Sequence, residues 1–132
     1  MKIRRGDTAL ITGASRGIGR EIASALAGRG MNLILAARSV GGLNQVAAEL
    51  GGSTKVDVLT VDLNARQDVA DLITRAETIA GPIDLLVNNA GVELARRFDE
   101  HTVEDLAMFT EVNLLAPMLL TRAVLPGMIE RR

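Results

Sequence analysis

Apolar residues along this chain fall into short continuous runs separated by stretches with helical spacing, and the two kinds alternate from one end to the other. The run Thr8 to Thr12 predicts a buried strand. Ile18, Ile22, Ala25 and Leu26 then recur at helical spacing until Gly28 and Gly30 stop the pattern. Leu33 to Ala36 predict a second strand, apolar throughout, as happens where both faces of a parallel sheet are covered. Leu43, Val46, Ala47 and Leu50 make the next helical stripe, closed by Gly51 and Gly52, and Val56 to Val61 predict a third strand that ends at Asp62. Asn64 with Gln67 three residues later predicts a capping box ahead of the stripe Val69, Leu72, Ile73 and Ala76, which Gly81-Pro82 breaks. Ile83 to Val87 predict a fourth strand. A last helix is expected from Thr102 through Leu106, Phe109 and Asn113 to about Ile129, with Glu130-Arg131-Arg132 as its solvated tail.

Strands that alternate with helices in this way imply right-handed crossovers and an α/β fold, a doubly wound parallel sheet with strand order 3-2-1-4. Strand 4 then lies at one edge, although its residues, Asp84 apart, are as apolar as those of a central strand. An uncovered edge of that kind invites pairing with further strands or with another chain. No repeat, charge block or low-complexity linker divides the sequence, so residues 1–132 are expected to form one domain.

Chemistry enters where strand 1 meets its helix, at Thr12-Gly13-Ala14-Ser15-Arg16-Gly17-Ile18-Gly19. Amides at a helix start, with no side chain at the glycines, let an anion approach the backbone closely, and the helix dipole favours its charge. Gly13 suits the tight turn, Gly17 the close approach, and Gly19 the packing of helix on strand. The pattern is that of a Rossmann-type dinucleotide site; the plain alternative is a glycine-rich turn with no ligand. Asp62 ends strand 3, where a carboxylate either accepts a base amino hydrogen or serves as a helix cap. Asn88-Asn89-Ala90-Gly91 follows strand 4 at the sheet end where ligands bind in such folds, with an Asx turn as the other reading. On the last helix Pro117 has no N–H for the carbonyl of Asn113, so that carbonyl is released and the helix is strained there. His101, the one histidine, has no partner His or Cys for a metal and is expected to be solvated.

Composition narrows the picture. A net charge of -1 carries no basic footprint for nucleic acid, and the absence of Cys excludes disulfides and thiolate metal sites, which fits a reducing cytoplasm. Met1 to Thr8 is too polar and short for a signal peptide, and no apolar run approaches the ~18 residues of a membrane span. A soluble cytoplasmic protein, with no membrane partner, is the expectation.

Four motifs now stand in order: Thr12-Gly13-x3-Gly17-x-Gly19, Asp62-Leu63, Asn88-Asn89-Ala90-Gly91, and Asn113 with Pro117. In these the sequence resembles the classical short-chain dehydrogenases/reductases, from Lys2 to Arg132, but only over the first half or so of that family's fold. The resemblance implies that Gly13, Ser15, Arg16, Gly17, Ile18 and Gly19 cradle the diphosphate and adenosine side of a nicotinamide dinucleotide. Asp62 and Leu63 would border the adenine, while Asn89, Ala90 and Gly91 would line the ribose. Asn113 would join a proton relay of Asn, Ser, Tyr and Lys. NAD enzymes of this fold place an acid at the end of strand 2, where Ala37 stands here, followed by Arg38. Arg38 and Arg16 suit a 2′-phosphate, so NADP is expected over NAD; the plain reading makes both solvated loop charges.

The family's Ser and Tyr-x3-Lys are missing, and no Tyr occurs anywhere in the sequence. The expectation is therefore the cofactor-binding part of an oxidoreductase acting on a small carbonyl or alcohol, inactive by itself. The alternatives are a noncatalytic dinucleotide-binding protein or a truncated, self-associating one. The resemblance also implies a homo-oligomer, through the last helix with Met108, Phe109, Val112, Leu115, Leu119 and Leu120.

Overall fold

The apolar runs become strands because each is buried from both sides. In the computed structural model, which describes residues 3–52 and 54–132, the strands are β1 (Thr8–Thr12), β2 (Asn32–Ala37), β3 (Val56–Thr60) and β4 (Leu85–Val87). All are parallel, in the order β3-β2-β1-β4. The sheet is flanked by α1 (Gly17–Ala27), α2 (Val40–Leu50) and α3 (Arg66–Ala80), then by α4 (Val103–Thr110) and α5 (Ala116–Arg131). Of the polar stretch Met1 to Thr8, Met1 and Lys2 lie outside the described residues.

Alternate strand residues feed two cores. Ala9, Ile11, Leu33 and Leu35 point into one with Ala23, Leu26, Leu43 and Val46 from α1 and α2. Leu10, Ile34, Ala36 and Leu59 join the other, with Leu72, Ile73 and Ala76 of α3 and Leu120 and Val124 of α5. Each fully buried Leu or Ile adds roughly 1.5–3 kcal/mol of transfer free energy, so sandwiching adds strongly to the ladder that holds the central strands. β4 is less well covered: Leu85, Leu86 and Val87 are only half-buried.

Two expectations about element boundaries are corrected. β4 begins at Leu85 rather than Ile83, because Asp84 turns back on β1: its carboxylate accepts from the Thr8 amide at 2.9 Å, and its own amide donates to the Thr8 carbonyl at 2.9 Å. The Asn64/Gln67 capping box does not form. Ala65 occupies the N-cap without a side-chain bond, Asp68 accepts from the Asp62 amide at 3.0 Å, and Gln67 donates to Asp71 instead. A capping box does form at Thr102 and Asp105, ahead of α4.

The last helix is not uniform. Between α4 and α5 the residues Glu111–Leu115 widen into a π-turn, in which the Ala116 amide donates to the Glu111 carbonyl. Pro117 sits at the second position of α5, where its missing N–H removes an ordinary helical bond to Asn113, and the wider turn is how the backbone continues past it. The tail is not free either, since Arg131 donates to the Ile83 carbonyl at 2.7 Å. Taken together, Val103–Arg131 form 29 residues of helix containing an 18-residue window of mean hydropathy 1.5, which by length and composition alone could cross a membrane. The expectation that no segment approaches that length is corrected. Within this fold α5 packs on α3 over the second core.

Candidate functional site

At the carboxyl ends of the strands the loops leaving β1, β2, β3 and β4 enclose a cleft of about 940 Å³. Its floor is the β1–α1 loop. Gly13 has φ +68° and Gly17 φ +57°, the left-handed region where a side chain is strained, so both places need glycine. Around Gly17 there is open space, whereas a Cβ on Gly13 would lie 2.8 Å from the Ala90 backbone. At Gly19 it would collide with the Gly13 carbonyl and approach the Asn89 side-chain nitrogen Nδ2 to 2.6 Å. Gly19 thus lets α1 start directly against the loop, and Gly17 leaves the loop bare toward the cleft. Ser15, Arg16 and Ile18 complete that wall.

One residue whose role the sequence reading missed locks this floor in place. The Thr12 hydroxyl accepts from the amides of Asn89 and Ala90, each at 3.1 Å, and donates to the Val87 carbonyl at 3.3 Å. The Asn89 side chain donates back to the carbonyls of Thr12 (3.0 Å) and Gly13 (3.3 Å). Loop one and loop four are therefore fastened by side-chain to backbone bonds, and what Asn89, Ala90 and Gly91 present to the cleft is mainly backbone. A hydroxyl at the last strand residue before the glycines was the available signal.

The outer end of the cleft is basic. Ala37 ends β2, and Arg38 after it lines the same cleft as Arg16. Both arginines are exposed, and among the described residues neither makes an ion pair or side-chain hydrogen bond. Ser39 caps α2 by accepting from the Gly42 amide at 3.2 Å, and both line the same end; neither was singled out in the sequence, though a serine at a helix start is a legible cap. Asp62 is not the cap of α3, whose N-cap is Ala65: one carboxylate oxygen accepts from the Asn64 amide at 3.0 Å, and the residue borders the cleft, exposed. Leu63 also borders it, but is 7% exposed and packs into the core.

Asn113, on the π-turn, grips the fourth loop. Its side-chain oxygen accepts from the Val92 amide at 3.0 Å and its nitrogen donates to the Val92 carbonyl at 2.9 Å. Asn113→Leu is expected to leave both Val92 groups unpaired in a partly buried place and to lower stability by about 2 kcal/mol. Urea unfolding measures it: the midpoint should fall at constant slope, and an unchanged midpoint would mean the grip carries no weight.

His101 is corrected from solvated to buried. Its side chain is 4% exposed, edge-on to Phe98 with ring centroids 6.5 Å apart, and its Nδ1 lies 3.9 Å from the Asp105 carboxylate. That carboxylate is held below its usual pKa, first by the Thr102 backbone amide and then by Arg96. Among the described residues no cluster of His, Asp or Glu could hold a metal ion.

A parallel sheet in this order, with a bare glycine loop at the mouth of β1 and a cleft across four strand ends, defines a Rossmann-type dinucleotide-binding fold. The family model for short chain dehydrogenase matches residues 7–132. The chain belongs to that family. It is 39% identical to the ketoacyl reductase HetN of Nostoc over 127 residues, covering 96% of this chain and 44% of HetN. Among solved structures, a metagenomic short-chain oxidoreductase in complex with NADP superposes with a TM-score of 0.91 at 35% identity, covering 97% of this chain and 59% of that one. A 3-oxoacyl (acyl-carrier-protein) reductase from Agrobacterium tumefaciens with NADP bound gives 0.90 at 40% identity, with 96% and 49% covered. The chain spans about half the length of the curated relatives it matches, for example 44% and 48%.

Proposed function

We propose that this chain is the cofactor-binding part of an NADP-dependent oxidoreductase that interconverts alcohols and ketones. The observation that carries the reading is the cleft itself: an unobstructed glycine loop at the diphosphate position, two arginines that make no ion pair among the described residues, and Ala37 rather than an acidic residue at the end of β2. Related structures solved with NADP or NADPH support it, one of them a sorbose reductase from Gluconobacter frateurii that also holds L-sorbose.

In this reading the amides around Ser15 to Ile18 hold the diphosphate, while Arg16 and Arg38 hold the 2′-phosphate. Asp62 uses its remaining oxygen on the adenine amino group beside Leu63, and the backbone of Asn89 to Gly91 lines the ribose. The dinucleotide, when bound, supplies or takes up the hydride. Asn113 orders the loop at that end and contributes its backbone to a proton relay. The phenol that would donate the proton is not among these residues, since the sequence has no Tyr. General acid catalysis commonly contributes ~100 to 10,000-fold, so the 132-residue polypeptide should bind NADPH without turning it over. NADPH fluorescence titration and ketone-dependent NADPH oxidation test this together. Binding with oxidation at background is expected; brisk oxidation by these residues alone, or no binding, would overturn it.

Self-association has one specific observation behind it, although on other residues than the sequence suggested, because Val112 and Leu120 are buried in the core. Leu114, Met118, Leu125 and Ile129 are exposed along the outer face of the last helix, at 57%, 59%, 42% and 69%. A second copy of the same helix is the occupant we assign to that face, making a homo-oligomer.

A further inference from the structure

We propose that Arg66 and Glu111 are positioning residues whose ion pair fixes the spacing between the two ends of the dinucleotide site. The inference rests on the dinucleotide reading above and assigns it a device that neither residue's local sequence announces.

Both nitrogens used by Arg66 fall on one oxygen of Glu111: Nη2 at 2.6 Å and Nε at 3.2 Å. The bond spans 45 positions of sequence and joins two turns that each govern one end of the cleft. Arg66 is the first residue of α3. Two residues further on, Asp68 accepts the Asp62 amide, so the same first turn that carries Arg66 also anchors the loop proposed to meet the adenine. Glu111 opens the π-turn, and its carbonyl receives the bond that defines that turn. Two residues further on, Asn113 clamps Val92 and with it the loop proposed to line the ribose. The pair thus bonds the two clamps directly, beside the core packing of Val69 and Val112.

Local helix stability does not explain the arginine. A cation at the first helical position faces the positive end of the helix dipole and is disfavoured there. Global stability is a weak reason too, because the Arg66 side chain is 72% exposed and exposed pairs contribute little. What the pair adds is a bond between the first turn of α3 and the π-turn, at the cleft side of the core that packs them. A ligand held at two ends gains from the effective concentration of its second end, which falls when the spacing between subsites loosens, while the affinity of each half alone is unchanged.

The test uses the protein at its native length and two probes: NADP, which spans both ends, and adenosine 2′,5′-bisphosphate, which occupies only one. Arg66→Ala and Glu111→Ala should each weaken NADP about fivefold or more and the bisphosphate less than about twofold. The double alanine variant should be no worse than either single one. Arg66→Glu should also weaken NADP, even though an acid suits that helix end, and combining it with Glu111→Arg should restore binding. Equal losses for both probes, additive losses, or failure of the exchanged pair to restore NADP would overturn the proposal. A protein with intact folding that binds neither probe before any substitution would overturn the dinucleotide reading and the pair together. Normal binding that no variant disturbs would overturn the pair alone.

Discussion

Replacing Arg16 and Arg38 together by alanine is expected to cost NADP at least ~100-fold in affinity and NAD no more than ~5-fold. A hydrogen bond to a charged group is worth roughly 1.5–3 kcal/mol, and 1.4 kcal/mol is tenfold, so two guanidinium contacts to one phosphate suffice for that gap. Both side chains border the cleft and are engaged with no other group among the described residues, so their removal frees no partner and should leave the fold intact. The absence of a carboxylate at Ala37 is what makes the effect one-sided: nothing there favours the 2′-hydroxyl of NAD in compensation. Isothermal titration with both cofactors measures it. Equal losses would reduce the two arginines to loop charges.

A methyl group at Gly19 should do more damage than the loss of either arginine. The added carbon meets the Gly13 carbonyl and lies 2.6 Å from the Asn89 side-chain nitrogen Nδ2, and both neighbours belong to the locked floor of the cleft. The carbonyl is backbone, and the Asn89 side chain is held by its bonds to the Thr12 and Gly13 carbonyls. Overpacking of this sort costs ~1–3 kcal/mol or more, and the relief available is to push α1 off the loop, which carries with it the amides proposed to hold the diphosphate. Gly19→Ala is expected to abolish measurable NADP binding and to lower stability by about 2 kcal/mol or more. Gly41→Ala is the contrasting substitution, since a carbon there has open space and sits in a helix; it should be neutral or gain up to ~1 kcal/mol. Parallel thermal unfolding and cofactor titration of the two variants separate steric blockage from a general intolerance of glycine replacement.

Much of this architecture was readable in the sequence because sandwiching leaves a simple trace. Thr8 to Thr12 and Leu33 to Ala36 are apolar on both faces and could belong only to covered strands, and their order with the helices restricts the topology to the one observed. The glycine loop was readable for a similar reason: its spacing answers to backbone geometry, which a sequence encodes directly. Features set by distant partners were not. His101 looks polar in a polar stretch, and its burial follows from Phe98 and the way the segment before α4 folds over. The Asn64/Gln67 pattern was a sound local cap, but Asp68 bonds the Asp62 amide, and α3 starts one residue later than that cap requires. Pro117 announced a disturbed helix without saying that the backbone would widen into a π-turn, and the Arg66–Glu111 pair joins residues 45 apart that carry no shared local signal. The role of Thr12 lay between: its position was visible, but its double acceptance depends on β4 lying next to β1.

The central claim is that the loop leaving β1 holds the diphosphate of a nicotinamide dinucleotide. A crystal structure of the protein at native length, grown with NADP, tests it most directly. The account predicts diphosphate oxygens within hydrogen-bonding distance of the backbone amides between Ser15 and Ile18, with the 2′-phosphate between Arg16 and Arg38. A well-folded crystal in which NADP is absent from that loop, or lies elsewhere on the molecule, would contradict it.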